Sequence, residues 1–151
     1  MQTIEKLLES RRSAHPHATK HYYSCAPGDA VGSVLGSVKI KRQGGLPVID
    51  QHERLVGIVT RNDLESKEGV VVEDVMTESP ISILESDPVT VAVELMSKFE
   101  VDTLPVVDRR GAGGKCVGVI TKDDVVRKEK RIAAVGGSDQ LALLDRESVD
   151  M

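Results

Sequence analysis

Two four-residue stretches hold the side chains best suited to chemistry. Thr60-Arg61-Asn62-Asp63 and Thr121-Lys122-Asp123-Asp124 each follow an apolar run and open a helical pattern. A threonine with an acid three residues on is a common helix start, the capping box, in which each side chain satisfies a backbone N–H of the other residue. The same groups can serve a ligand. A helix start offers unpaired N–H groups and the positive end of a dipole to a phosphate. A carboxylate there has two oxygens that can accept from both hydroxyls of a ribose, as in dinucleotide folds. This places a ribose on Asp63 and Asp124, and the ligand's 5′ side on Thr60 and Thr121. Arg61 and Lys122 either contact phosphate or stand as solvated first-turn cations, and spacing leaves both open.

Other groups with potential chemistry carry less. His15, His17, His21 and Cys25 would align zinc-compatible donors if residues 17 to 25 formed a helix. Pro16, Tyr22, Tyr23 and Pro27 oppose such a helix, so no metal ligands are assigned and an N-terminal His/Cys metal-binding protein stands only as an alternative reading. No Ser-His-Asp or Cys-His constellation and no Walker loop stands out, so the chain is expected not to be an enzyme. Gly111-Ala112-Gly113-Gly114-Lys115 joins two short strands rather than opening a helix and reads as a hairpin turn. His52 falls in a turn and should be solvated.

The elements that position these groups come as a repeat. Gly45-Leu46-Pro47-Val48-Ile49-Asp50 is echoed by Thr103-Leu104-Pro105-Val106-Val107-Asp108. Leu55-Val56-Gly57-Ile58-Val59-Thr60 is echoed by Cys116-Val117-Gly118-Val119-Ile120-Thr121, the offset growing only across the glycine-rich loop. An insertion that falls in a turn leaves the flanking elements in register. Each copy reads as a short strand (Tyr23 to Cys25; Ile81 to Ile83), then an aspartate placed to cap a helix, Asp29 or Asp87. The helices follow, with Val31, Val34, Leu35 and Val38, or Val89, Ala92, Val93 and Met96, at helical spacing. A Leu-Pro-Val segment comes next, its proline confined to a strand start or edge. An apolar strand and the Thr-x-x-Asp helix complete the unit.

The expected fold is α/β: two β-α-β-β-α repeats in pseudo-two-fold symmetry, with small three-stranded sheets each covered by helices. Boundaries fall at 1–22 for an N-terminal helix and linker, 23–68 and 69–128 for the repeats, and 129–151 for a tail. In the first of these, Ile4, Leu7 and Leu8 share a helix face. Units of about 60 residues have marginal cores, so the repeats should bury apolar faces against each other.

These repeats resemble a tandem pair of cystathionine-beta-synthase (CBS) domains, a Bateman module, over residues 23 to 128. The resemblance implies clefts between repeats that bind adenosine derivatives (AMP, ADP, ATP or S-adenosylmethionine) as regulatory ligands rather than cofactors. It also implies a homodimer and an unidentified target protein that receives the signal. By the same resemblance, Ser82, Val101, Thr103, Pro105 and Val119 surround the adenine in the second copy. Their repeat partners are Ser24, Gln43, Gly45, Pro47 and Ile58. Gln43 and Gly45 make the first pocket more polar and less filled, so the site with Asp124 is expected to be tighter. An alternative keeps the fold as a ligand-free dimerisation or scaffold module. The phrase Leu-Val-Gly-Ile-Val-Thr-Arg-Asn-Asp-Leu also resembles the regulatory insert of inosine-monophosphate dehydrogenase, whose barrel alone takes about 250 residues. This chain would then hold the sensor half.

Composition agrees with these limits. The chain has 151 residues, a net charge of −4 and 2% aromatic residues with no tryptophan. Phosphate neutralisation and base stacking, and hence nucleic-acid binding, are disfavoured. No apolar run approaches the roughly 18 residues of a membrane helix. The N-terminus lacks a signal-peptide pattern, and with two cysteines expected to be free thiols the chain is expected to be cytoplasmic.

Overall fold

The computed structural model describes residues 2–14, 21–110 and 114–126. Two three-stranded sheets organise it. The first joins β1 (Gly45–Ile49), β2 (Leu55–Thr60) and β3 (Thr77–Glu78), and the second joins β4 (Ile83–Leu84), β5 (Thr103–Val107) and β6 (Cys116–Thr121). The repeat is reproduced in register. Gly45 pairs with Thr60 and Pro47 with Ile58, just as Thr103 pairs with Thr121 and Pro105 with Val119. The ladder slips after Val48 in one copy and after Val106 in the other. Cys25 bridges Val48 in parallel as β4 residue Ile83 pairs with Val106. Pro47 directs its carbonyl to the Cys25 N–H, so its missing donor faces the side where pairing has only just begun.

The helices depart from the sequence expectation in two ways. The first-copy helix breaks into α2 (Val31–Leu35) and α3 (Val38–Gln43), whereas the second copy keeps α6 (Val89–Phe99) whole. Gly36-Ser37 falls at the break, and Ser37 Oγ donates to the Val34 carbonyl at 2.7 Å, a local bond that competes with helix continuation. Asp29 and Asp87 do not cap these helices. Each instead closes the preceding turn, accepting from Ala26 N at 2.9 Å and Leu84 N at 3.1 Å, while Ala30 and Pro88 occupy the N-cap positions.

The core is built around these helices and sheets. Each repeat has its own buried cluster among the described residues, and each cluster is completed from outside the repeat. Helix α1 (Ile4–Ala14) buries Ile4 and Leu8 in the cluster of the second repeat. The short helix α5 (Val72–Val75) buries Val72 and Val75 in that of the first. The two docking modes match. Val31 N donates to Val70 O and Val72 N to Asp29 O, while Val89 N donates to Gln2 O and Ile4 N to Asp87 O. Met76 then covers Gly57 as Leu8 covers Gly118, close enough that a Cβ at either glycine would lie under 3.0 Å from the covering side chain. Residues 2–8 are thus the structural counterpart of 70–76. After Met76 the chain extends into β3, whereas α1 remains helical through Ala14.

The two repeats are also stitched at their hairpin tips. Leu55 N donates to Gly114 O at 3.1 Å and Cys116 N to Glu53 O at 3.0 Å, with Arg54 bridged to Lys115. Among the described residues no helix is long and apolar enough to cross a membrane. The tail 129–151 lies outside the described residues.

Candidate functional site

At the end of the sheets away from the hairpin tips, β2 and β6 run into helices that begin at Arg61 and Lys122. Both starts are capping boxes. Asp63 N donates to Thr60 Oγ1 at 3.3 Å, and the Asp63 carboxylate accepts from Thr60 N at 2.9 Å and Thr60 Oγ1 at 3.1 Å. Asp124 and Thr121 repeat the pattern with the same three distances. The second oxygen of Asp63 accepts from Lys67 Nζ at 2.9 Å. A carboxylate held from both sides cannot swing with solvent, so its position is set before any ligand arrives.

Both boxes open on one cleft of ≈ 1250 Å³ between the repeats. That exceeds the roughly 300–1,000 Å³ of an ordinary small-molecule pocket. Of the residues expected at a site, Thr60, Asp63, Ile58 and Arg61 line it from the first repeat. Thr121, Asp124, Val101, Thr103, Val119 and Lys122 line it from the second. Ser24, Gly45, Pro47, Ser82 and Pro105 do not. Pro47 and Pro105 are buried within their strands, and Ser24 gives its carbonyl to Lys39 Nζ at 3.0 Å.

The contrast between the copies is not the one expected from residue size. The space at Gly45 is taken by Thr103, whose Cβ stands 3.2 Å from where a Gly45 Cβ would be. Gln43 spends its amide on backbone. It accepts from Tyr23 N at 2.8 Å and donates to the carbonyls of Tyr23 and Gly45 at 2.8 and 2.9 Å. It therefore ties the entering chain to the end of α3 in place of a strand pair.

Sequence reasoning missed Lys41, Arg42 and Asn62 on one side of the cleft, and Glu100, Asp102 and Asp123 on the other. They read as solvated helix and loop residues, and only the pairing of Gly45 with Thr60 reveals that α3 ends beside the Arg61 turn.

The zinc alternative loses its geometry. Residues 21–25 are not helical, and Cys25 is buried in the first core cluster. Burial, aided by nearby Asp29, pushes its thiol up to about 12, far from the thiolate a metal needs. His15 and His17 lie outside the described residues, while His21 lines the cleft.

Comparison with known proteins agrees with this architecture. The CBS domain profile matches residues 17–67 and 72–131. Inosine-5′-monophosphate dehydrogenase of Methanocaldococcus jannaschii is 30% identical over 125 residues, which are 82% of this chain and 25% of the enzyme. The Thermoplasma acidophilum enzyme is 34% identical over 109 residues, 72% of this chain and 22% of the enzyme. The chain thus spans about a quarter of the length of these curated relatives. Among solved structures, CBSX2 in complex with AMP superimposes with a TM-score of 0.65 at 33% identity, covering 74% of this chain and 89% of that one. CBSX2 is an Arabidopsis thaliana CBS-pair protein. The CBS domains of a Streptococcus pneumoniae transcriptional regulator give 0.66 at 28%, covering 84% and 98%. With two matched segments, two register-matched sheets and a shared cleft, the chain belongs to the CBS-domain family as a tandem pair.

Proposed function

We propose that this chain is a regulatory module, not an enzyme, that binds an adenosine derivative in the cleft between its repeats. The observation that carries this reading is the convergence of the two Thr-x-x-Asp boxes on one cleft. Each box fixes a carboxylate beside a helix start. The apolar walls supplied by Ile58, Val101 and Val119 suit a purine ring. The AMP held by the similar CBSX2 supports the same ligand class. ADP, ATP and S-adenosylmethionine share the adenosine that these groups would recognise.

A ligand wedged between repeats changes their orientation only by its differential affinity for the two arrangements. The module passes that change to a twin subunit or a separate target protein, through α1 or the apolar faces around Leu95 and Val126, in a cytoplasmic setting and without nucleic acid or membrane. The rival is a scaffold whose cleft stays empty. Calorimetry with AMP, ADP, ATP, S-adenosylmethionine and NAD on the wild type and on Asp124→Ala and Asp63→Ala separates the two. Binding that weakens in the variants supports the proposal, while silence from every adenosine compound favours the scaffold.

A further inference from the structure

We infer that Gln43 is a built-in stand-in for a ligand's base, which closes the first repeat's half of the cleft and leaves one adenosine compound per chain, read on the second repeat's side. This rests on the adenosine reading above and adds where the base is taken and how many are taken.

The basis is one difference between copies that otherwise match. Tyr23, Gln43 and Pro47 correspond to Ile81, Val101 and Pro105. The parallel bridges of Cys25 to Val48 and of Ile83 to Val106 put Tyr23 and Ile81 at equivalent places. Tyr23, Gln43, Ile81 and Val101 all line the cleft. In both copies the parallel ladder stops at the tyrosine or isoleucine, and for one reason. Cys25 gives its N–H to Pro47 O and accepts the Ile49 N–H on its carbonyl. One rung earlier, the donor to the Tyr23 carbonyl would be Pro47 and the donor to the Ile81 carbonyl Pro105. A proline has no N–H to give.

Each repeat is thus left with one residue whose backbone edge lacks a strand partner. In the first copy Gln43 takes that edge. Its Oε1 accepts from Tyr23 N at 2.8 Å, and its Nε2 donates to Tyr23 O at 2.8 Å and to Gly45 O at 2.9 Å. In the second copy Val101 has no amide to offer. Neither the N–H nor the carbonyl of the half-buried Ile81 has a protein partner among the described residues. Backbone groups set away from bulk water call for one, from solvent or from a ligand.

The Gln43 amide sets an oxygen acceptor beside an NH₂ donor. The Watson–Crick edge of adenine sets a ring nitrogen that accepts beside an amino group that donates, so amide and base compete for the same backbone edge. Gln43 is tethered, which gives it the effective concentration of an intramolecular partner, and a free base must displace it. At Ile81 there is nothing to displace. The cleft of ≈ 1250 Å³ is larger than a single small ligand needs. Occupancy is therefore set by the available edge and not by space.

The test is titration calorimetry of the full chain with AMP and with adenosine. It uses the wild type, Gln43→Val, which copies the second repeat, and Val101→Gln, which copies the first. A thermal melt of each protein without ligand reports whether it is folded. Wild type should take one AMP per chain and Gln43→Val two, while Val101→Gln should weaken AMP at least about tenfold. Adenosine should follow AMP in all three proteins, since the base is what the edge reads. Two equal sites in wild type, or a single site in folded Gln43→Val, overturns this inference and leaves the adenosine reading standing. Wild-type affinity in Val101→Gln overturns it too. Should Gln43→Val lose its cooperative melt, the wild-type count and Val101→Gln decide. Silence from both compounds in all three proteins removes both readings.

Discussion

Leu8 lies over Gly118, with its Cδ1 only 2.8 Å from where a Cβ on that glycine would stand. The N-terminal helix is therefore part of the second repeat's core, not an appendage. Leu8→Ala should cost about 2–5 kcal/mol, the range for emptying a buried leucine site. Gly118→Ala should cost about 1–3 kcal/mol through overpacking. The double variant Leu8→Ala/Gly118→Ala should be less destabilised than the two costs added, since the new methyl enters the space vacated by the leucine. Urea unfolding of the three variants measures this, and strict additivity would show that the two side chains do not share the site.

The capping boxes predict a graded response. Asp63→Ala and Asp124→Ala should each destabilise by about 0.5–2 kcal/mol. Asp63→Asn and Asp124→Asn should recover most of that, because the amide oxygen still accepts from the threonine N–H. The asparagines place an NH₂ where the second carboxylate oxygen stood, so nucleotide affinity should not recover with stability. Thermal melts beside AMP calorimetry separate the two effects; affinity restored together with stability would argue that the acids act only as caps.

Acid sensitivity should trace to two turns outside the cleft. Asp74 accepts from Val71 N at 3.1 Å and Val70 N at 2.9 Å, and these bonds, that of Val71 first, hold its carboxyl below the usual 3.8. Asp50 is lowered in the same way, first by the Arg54 backbone N–H and also by that of His52. A carboxylate lowered on folding stabilises the fold above its unfolded value, and that contribution is lost as pH falls through the folded one. Stability should thus drop from just above pH 4 downward. Asp74→Asn should flatten part of that decline in chemical unfolding at stepped pH; an unchanged acid limb would assign it to other carboxylates.

Both cysteines should resist thiol reagents while the chain is folded. Cys25 is buried, with its thiol pushed up to about 12, and Cys116 is buried with its Sγ 3.4 Å from the Gly118 carbonyl. A disulfide-exchange reagent at pH 8 should label neither within minutes and both in urea. Rapid labelling of the native chain would show that the strands carrying them open readily.

What the sequence disclosed followed from the range of the forces involved. Thr60, Asp63, Thr121 and Asp124 were legible because a cap is made within four residues, and strand register followed from two copies that check each other. The break at Gly36-Ser37 was not, since Val31, Val34, Leu35 and Val38 keep helical spacing across it. The kinship of Ile4–Leu8 with Val72–Met76 was hidden because burial demands only an apolar residue of fitting size, so little identity remains. Lys41 and Arg42 were overlooked because an exposed cation on a short helix says nothing of what lies across a gap.

The backbone bonds between Glu53-Arg54-Leu55 and Gly114-Lys115-Cys116 make the two hairpin tips a clasp. Thr103 packs on Gly45 beside Thr60 and Thr121, so the seam between the repeats is fastened at both ends, and a small molecule between the two boxes meets a frame whose halves are already tied.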